Sequence, residues 1–243
     1  MEIIPVLDIL NGIVVHAVRG RREEYLPVTS TLCKSANPVD VALAFKSLRF
    51  NQLYLADLDA ILSGLANFSL YRQIKADTGL ELMVDAGIAD LEKAMRVLES
   101  GVSKIIVGTE TLNEPDFVKQ VVESFGEDRV TVSLDLKEGE VVSVSEVIRS
   151  MSPLAVAKAF QKMGITRIIV LDLARVGTRK GVNVGILREI LKKVKVEVLT
   201  GGGIRDIKDL QLLRHLGVSG VLLATALHSG KITAKELNSA GFL

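Results

Sequence analysis

Two aspartates end matching apolar segments in the two halves of the chain and could act together as an acid and a base. Asp8 lies in Pro5–Gly12, and Asp135 lies 127 residues later in Val132–Gly139. A carboxylate at the end of a buried strand is costly to desolvate, so its presence there calls for a role. Two such groups in one site can divide a proton transfer, one ionised as base and one protonated as acid. The alternative is that each aspartate caps a loop or pairs with a nearby arginine.

The two halves of the chain resemble each other well beyond these aspartates. The segment Asp85–Asp90 matches Gly201–Asp206 at an offset of 116 residues, and a further pair of segments matches at 115. Because the matching segments keep their order at nearly one spacing, they favour an internal duplication. We therefore predict a single domain, 1–243, built from two halves of about 1–125 and 126–243.

Composition restricts the classes of protein to which the chain can belong. Of its 243 residues, 48% are hydrophobic, which supports a large core and argues against disorder. The net charge of +1 gives no electrostatic basis for binding nucleic acid, and no apolar run reaches the roughly 20 residues of a membrane span. A single cysteine, Cys33, excludes an intramolecular disulfide and fits a reducing compartment. With no secretory signal visible, we expect a soluble cytoplasmic protein without nucleic-acid or membrane partners.

Continuous apolar runs predict strands that are buried on both faces of a parallel sheet. We place the strands at Ile3–Ile9, Gln52–Asp57, Leu80–Asp85, Lys104–Gly108, Arg129–Leu136, Arg167–Asp172, Val194–Thr200 and Gly220–Leu223. Helical patterns follow them at Val39–Leu48, Phe68–Ala76, Leu91–Ser100, Asp116–Phe125, Leu154–Met163, Val184–Lys193, Ile207–Leu216 and Ala234–Ala240. Candidate helix caps are Asn37, Asp90, Ser152 and Asp206.

Eight strands that alternate with eight helices indicate an α/β protein with a (β/α)8 (TIM) barrel. A doubly wound open sheet is the alternative, but it explains the half-chain repeat less naturally. Two connections are long, Arg19–Asn37 and Ala174–Asn183, and both fall at the mouth of the barrel, where such enzymes keep their active sites. The arginines that these loops offer to a substrate are Arg19, Arg175 and Arg179.

Glycine-rich strand ends form two candidate phosphate sites, because glycine lets backbone amides approach an anion and helix N-termini add a favourable dipole. The residues of the first candidate phosphate site are Gly87, Gly108 and Thr109. Those of the second candidate phosphate site are Gly202, Gly203, Ala224 and Thr225, with Gly177 in the nearby long loop as a further candidate. The alternative is a set of tight turns that need glycine sterically. Two such sites would suit a substrate that is phosphorylated at both ends.

A second pair of aspartates, Asp57 and Asp172, ends two other predicted strands. The favoured role is structural, as partners of Arg175, Arg179 or Arg205. Metal binding is the alternative, but no histidine lies at a ligand-like spacing, so we predict no metal site.

Taken together, these motifs resemble the histidine-biosynthesis (HisA/HisF) barrels over the whole chain. The resemblance is carried by Ile3–Asp8, its repeat at Asp135, Gly201–Ile204 and the closing segment Gly220–Lys231. The family includes the isomerase of phosphoribosylformimino-aminoimidazole carboxamide ribotide (ProFAR), which performs an Amadori rearrangement, and the cyclase subunit of imidazole glycerol phosphate synthase. The resemblance implies a half-barrel-duplicated fold, two phosphate sites, a phosphorylated small-molecule substrate, and no metal or cofactor. By position, Asp8 would be the base at the sugar C2 proton and Asp135 the acid that assists ring opening.

The chain departs from the family pattern at four places around this site. Leu171 stands where the family usually has threonine, and Val176 where the sixth loop usually has aspartate. Asp85 and Ala86 replace glycines at the end of the third strand, and Thr225 replaces the arginine usual in the isomerase. These changes indicate an altered substrate or reaction step on an intact scaffold.

We therefore predict an isomerase that acts on a phosphorylated aminoaldose, as a monomer or small homo-oligomer. Its reaction is either the ordinary ProFAR isomerisation or a related one in another pathway, such as cofactor synthesis. Further alternatives are a cyclase, which needs a glutaminase partner, and a phosphate-ligand-binding protein without turnover. The survival of both aspartates argues against the last.

Overall fold

Eight apolar segments form parallel strands around a closed barrel in the computed structural model, which describes residues 1–243. The strands are β1 (Glu2–Leu10), β2 (Gln52–Asp57), β3 (Glu81–Asp85), β4 (Lys104–Gly108), β5 (Val130–Lys137), β6 (Arg167–Asp172), β7 (Glu197–Gly201) and β8 (Gly220–Leu223). Each strand pairs with the next, and β8 pairs in parallel with β1, with Val221 opposite Ile3. The predicted (β/α)8 barrel is confirmed, and the open-sheet alternative is wrong because no edge separates β1 from β8.

Helices cover the outside of the barrel. They are α1 (Pro38–Ser47), α2 (Phe68–Thr78), α3 (Leu91–Glu99), α4 (Phe117–Phe125), α5 (Pro153–Lys162), α6 (Val184–Lys193), α7 (Ile207–Leu216) and α8 (Ala234–Ser239). The side chains of the four predicted caps, Asn37, Asp90, Ser152 and Asp206, accept hydrogen bonds from first-turn amides. Short helices at Leu58–Ser63, Glu146–Arg149 and Thr225–His228 were not predicted. None of the helices has both the length and the hydropathy that crossing a membrane requires.

The strands are apolar on both faces because each face packs against a separate part of the core. Ile4, Tyr54 and Ile106 belong to a small cluster inside the barrel. Alternating neighbours such as Leu53 and Ile105 belong to the larger cluster between strands and helices. This double burial explains why the sequence shows continuous apolar runs instead of alternation.

One predicted boundary is displaced by three residues. The seventh strand was predicted from Val194, but it begins at Glu197. The amide of Val194 still donates to Ile190 at the end of α6, and the amide of Lys195 donates to the Gln161 side chain. Apolar Val194 therefore ends a helix, where its side chain is also buried.

The two halves of the barrel repeat the same local conformations. β1 continues through a turn at Asn11–Gly12 into an antiparallel strand, Ile13–His16. β5 does the same through Glu138–Gly139 into Glu140–Val141. All four turn residues have positive φ, between 54° and 92°. This agreement supports the predicted repeat, and the division of the chain near residue 125 stays a prediction.

Asp57 anchors the end of β2 to the helix that follows. Its carboxylate, 2% exposed, accepts hydrogen bonds from the amides of Ala60 (2.9 Å) and Asn67 (3.3 Å) and from the Tyr71 hydroxyl. The expectation that an arginine would pair with it is wrong, because α2 supplies the neutral donor Tyr71. The predicted structural role is therefore met by hydrogen bonds to neutral groups.

Replacing Tyr71 with phenylalanine tests this anchor. The Tyr71→Phe substitution leaves a buried carboxylate with one donor fewer, which costs about 1.5–3 kcal/mol for a hydrogen bond to a charged group. For a chain of this length we expect the Tm to fall by about 3–12 °C. Differential scanning calorimetry would measure it, with Tyr25→Phe as the matched control. An unchanged Tm in Tyr71→Phe would contradict the anchoring role.

Candidate active site

A cavity opens at the carboxyl ends of the strands, as the barrel fold predicts. It encloses about 1220 Å³ of empty space, including the space that is open to solvent. The ionisable side chains in its wall include Asp8, His16, Arg22, Tyr25, Tyr54, Asp85, Glu110, Asp135, Arg179 and His228. Asp8 and Asp135 thus share one cavity, on strands β1 and β5, which lie opposite each other in the ring of eight.

Asp8 presents a carboxylate to this cavity without a hydrogen-bond donor from the chain. It lies near the end of β1, between Ala56 of β2 and Val15 of the hairpin. Its surroundings are largely apolar, and desolvation alone raises the pKa of Asp8 to about 7. The group can therefore take up and release a proton near neutral pH.

Asp135 is more buried and more tightly held. Its side chain, in a residue only 5% exposed, accepts a hydrogen bond from the Ser133 hydroxyl (2.7 Å) and a longer one from the Glu110 amide (3.4 Å). Burial raises the pKa of Asp135 to about 8, and the charges of Asp85 and Glu110 act in the same direction, against the Ser133 hydrogen bond. Asp135 is therefore the member of the pair that carries its proton at neutral pH and is available as an acid.

Asp85 adds a third carboxylate that no family pattern predicts. It accepts a hydrogen bond from the Gly87 amide (3.1 Å), and its charge helps to raise the pKa of nearby Tyr54. A Cβ atom at Gly108 would lie 3.4 Å from the Oδ2 atoms of both Asp85 and Asp135, so the two carboxylates flank the same point. Burial raises the pKa of Asp85 to about 6. The charge of Asp85 in turn helps to raise the pKa of Asp135.

The amides of Gly87 and Thr109, in the first candidate phosphate site, have acceptors within the chain, and anion binding there stays a prediction. The amide of Gly87 is bonded to Asp85, and the amide of fully buried Thr109 donates to the Ser133 carbonyl (2.9 Å). The Thr109 hydroxyl accepts from the Asp135 amide at 3.0 Å, and Gly108 lies between carboxylates. Gly87 itself is required sterically, because its φ is +64° and a Cβ would lie 3.0 Å from Ile61. These residues therefore support the carboxylates.

The second candidate phosphate site does line the cavity. The residues brought together there are Gly177, Gly202, Gly203, Ala224 and Thr225. The amides of Gly202 and Gly203 donate to no acceptor in the chain, and Thr225 begins a short helix, where first-turn amides lack intrahelical acceptors. His16 places Nε2 3.1 Å from the Thr225 hydroxyl. Free amides at a helix start suit an anion.

Close packing explains why three of these positions are glycine. A Cβ at Gly177 would lie 2.4 Å from the Ala17 carbonyl oxygen, and one at Gly203 would lie 2.5 Å from the Gly181 oxygen. At Gly202 it would lie 2.9 Å from the Asp172 oxygen. All three residues also have positive φ, between 72° and 85°. Tight packing therefore requires glycine at these three positions, in addition to the unpartnered amides of Gly202 and Gly203.

The three loop arginines have different positions. Arg179 lines the cavity. Desolvation of His16 lowers the pKa of that ring, and the charge of Arg179 acts in the same direction. Arg175 pairs with Asp172 (3.0 Å) and donates to the Gly181 carbonyl (3.0 Å), so it holds its own loop. Exposed Arg19 lies outside the cavity wall, although its amide donates to the Val176 carbonyl. Of the three arginines, the structure brings only Arg179 to the cavity.

Three residues that were not among the predicted site residues also line the cavity: Arg22, Tyr25 and Glu110. Arg22 forms an ion pair of 2.7 Å with Glu110, which joins the first long loop to the loop after β4. Tyr25 packs on the inner cluster, and burial together with the Asp8 charge raises the pKa of Tyr25 to about 12. Arg22 and Tyr25 lie in the long loop that the sequence predicts at the mouth, so they could have been found there. No sequence pattern pointed to Glu110, whose partner is 88 residues away.

His228 anchors the first long loop beneath the second candidate phosphate site. Its Nδ1 lies 2.9 Å from the Ser30 hydroxyl, and its carbonyl accepts from the amide and hydroxyl of Thr31 (2.8 and 3.2 Å). Burial lowers the pKa of His228 to about 4, so the ring is neutral at pH 7. Among all described residues, no cluster of three histidine, cysteine or acidic side chains has the arrangement of a metal site.

Comparison with known proteins identifies relatives that match nearly the whole chain. A family model described as "Histidine biosynthesis protein" matches residues 2–233. An uncharacterized protein of Methanocaldococcus jannaschii is 36% identical over 98% of this chain and 97% of its own length. The 1-(5-phosphoribosyl)-5-((5-phosphoribosylamino)methylideneamino) imidazole-4-carboxamide isomerase of Lactococcus lactis is 34% identical over 99% of this chain and 97% of its own length. The enzyme of the same name from Methanosphaera stadtmanae is 32% identical over 97% of this chain and 98% of its own.

The raised pKa of Asp8 predicts a pH-dependent gain in stability when its charge is removed. Between pH 4 and 7 the folded chain keeps the Asp8 proton longer than the unfolded chain does, so this group lowers the free energy of unfolding as pH rises. Asp8→Asn should therefore raise the Tm at pH 8 by about 2–6 °C, after discounting for partial solvation, and leave it unchanged at pH 4.

Thermal melts at both pH values would measure this effect. Asp206→Asn is the matched control, because asparagine can replace aspartate as the exposed cap of α7. An equal Tm shift at pH 4 and pH 8 would show that the Asp8 charge is not the cause.

Proposed function

The chain belongs to the histidine biosynthesis protein family, and on that premise we propose that it is an isomerase that converts a phosphorylated aminoaldose into an aminoketose. The observation that carries the proposal is the pair Asp8 and Asp135, on opposite strands of one cavity, with pKa values raised to about 7 and about 8. The names of the relatives as isomerases support the same reaction type.

In the proposed mechanism, Asp135 is the acid and Asp8 the base. Asp135 gives its proton to the ring oxygen of the sugar as the C1–O bond breaks, and the amine lone pair forms an iminium at C1. Asp8 removes the C2 proton, the C–H electrons form the C1–C2 double bond of an enaminol, and the electrons of the C1–N double bond return to the nitrogen. The Asp135 carboxylate then takes up the proton of the C2 hydroxyl, and protonated Asp8, after exchange with solvent, gives a proton to C1, which completes the ketose and restores both aspartates. The higher pKa of Asp135 fits the donor role.

The substrate phosphate, in this proposal, binds the second candidate phosphate site. The unpartnered amides of Gly202 and Gly203 and the start of the helix at Thr225 would face the anion. Arg179 and His16 lie in the same wall of the cavity. Binding there would hold the sugar across the mouth, so that its reacting carbons reach the two aspartates.

Two apolar residues favour a reaction that differs in detail from that of the named relatives. Leu171 of β6 and Val176 of the following loop both line the cavity, and neither side chain can form a hydrogen bond. A substrate that needs polar contacts at these points would lose them here. This observation favours the second version of the function, isomerisation of a related phosphorylated aminoaldose in another pathway.

Turnover of defined substrates tests the proposal. Two aminoaldoses would be supplied, the doubly phosphorylated compound in the relatives' name and an N-aryl 5-phosphoribosylamine with one phosphate. In D2O, mass spectrometry would detect the aminoketose and the deuterium that it gains at C1. Asp8→Asn and Asp135→Asn should each lower kcat by about 10²- to 10⁴-fold, the usual contribution of a positioned acid or base.

The Asp206→Asn variant serves as the control for loss of one surface charge. Absence of turnover of both compounds by the unmodified protein would overturn the proposed reaction. Full activity in either cavity variant would instead exclude the assigned acid–base pair.

The proposal also predicts a narrow pH optimum. Asp8 must be ionised and Asp135 protonated, so kcat/KM should rise through about pH 7 and fall through about pH 8. Because the charge of Asp85 helps to raise the pKa of Asp135, Asp85→Asn should move the falling limb to lower pH. Initial rates from pH 5 to pH 9 would reveal both limbs. A flat profile over this range would be incompatible with the pair.

A further inference from the structure

The charge of the cavity is distributed unevenly between its two ends. The end beside β7 and β8 contains the unpartnered amides of Gly202 and Gly203, together with Arg179. The opposite end, beside β3 to β5, contains the carboxylates of Asp85 and Glu110 in addition to Asp135. The unpartnered glycine amides and Arg179 therefore lie at one end of the cavity, and the carboxylates lie at the other.

Three amides at the β3–β5 end have acceptors within the chain. Gly87 donates to Asp85, and the Glu110 amide donates to Asp135. The amide of Thr109 donates to the carbonyl of Ser133. An anion at this end would have to displace a carboxylate of the protein from each of the first two donors.

The cations near this end are also engaged. Arg22 is paired with Glu110 at 2.7 Å. The Lys93 ammonium donates to the carbonyl oxygens of Gly87 (3.1 Å) and Ala60 (3.4 Å) and does not line the cavity. A second phosphate would therefore meet the Asp85 carboxylate at short range without a free counter-charge.

We propose that Asp85 restricts the substrate to a single phosphate, bound at the Gly202–Gly203 end, with hydrogen-bond donors instead of a second anion at the Asp85 end. The inference rests on the proposed function, which assigns the substrate phosphate to the Gly202–Gly203 end of the cavity. It separates this chain from the relatives whose name specifies two phosphoribosyl groups. Asp85 is then a specificity residue, whose acceptor oxygens face hydroxyl or amine groups of the substrate.

Binding of two non-reacting sugar phosphates tests the inference. Ribulose 5-phosphate carries one terminal phosphate and ribulose 1,5-bisphosphate carries two. Isothermal titration calorimetry at pH 8 would give both Kd values for the unmodified protein, for Asp85→Asn and for Asp85→Gly. The unmodified protein should bind the bisphosphate no more tightly than the monophosphate, because the second phosphate would meet the Asp85 and Glu110 carboxylates.

The two variants separate charge from geometry. Asp85→Asn removes the charge but can keep an acceptor for the Gly87 amide, whereas Asp85→Gly also frees that amide. The bisphosphate affinity should therefore rise about tenfold in Asp85→Gly and by less in Asp85→Asn, with the monophosphate affinity unchanged within about threefold. Asp77→Asn, an exposed position on α2, is the control, and circular dichroism would verify folding.

Each contrary result has a distinct meaning. A bisphosphate bound at least about tenfold more tightly than the monophosphate by the unmodified protein would overturn the inference. So would equal bisphosphate affinity in all variants. Failure of both ligands to bind would overturn the assignment of the phosphate to the Gly202–Gly203 end together with the inference, whereas the acid–base reaction stands or falls by the turnover experiment.

Discussion

The pairing of β8 with β1 is the constraint on which the rest of the structure depends. It closes the sheet, with Val221 opposite Ile3, so that eight strand ends surround one cavity. Closure also leaves no exposed strand edge and gives each strand an inner and an outer face. The inner faces form a small apolar cluster directly beneath the cavity. Carboxylates at the strand ends are consequently held against apolar surface.

This enclosure gives the three strand-end carboxylates their chemical character. Asp8, Asp85 and Asp135 have pKa values raised to about 7, 6 and 8, and desolvation is the largest cause for each. Buried carboxylates lower the stability of the folded state at neutral pH, a common cost of functional sites. The burial that destabilises these groups also lets them exchange protons near pH 7. By contrast, Asp57 at an equivalent strand end is satisfied by amides and Tyr71.

The two ends of the cavity differ in how they are built. At the Gly202–Gly203 end, three backbone segments are in close contact: Gly177 packs against the Ala17 carbonyl, and the Gly181 amide donates to the Gly203 carbonyl. These contacts leave no space for a side chain and fix the positions of the free amides. At the carboxylate end, the cover depends on the partly exposed Arg22–Glu110 ion pair, a type of contact that contributes about 0–1 kcal/mol.

The sequence by itself determined the barrel, most element boundaries and the positions of Asp8 and Asp135 on its strands. These features follow from local periodicity, helix caps and the half-chain repeat, all of which are visible in a single chain. Only the tertiary structure decided which backbone amides are free. The Gly87 amide donates to the Asp85 side chain and the Thr109 amide to the Ser133 carbonyl, and the spacing of residues predicts neither contact. The tertiary structure likewise decided that Tyr71 satisfies Asp57, that Arg175 holds its own loop and that Glu110 meets Arg22. Hydrogen-bond partners depend on side-chain direction and on contacts between distant segments, which the order of residues along the chain does not fix.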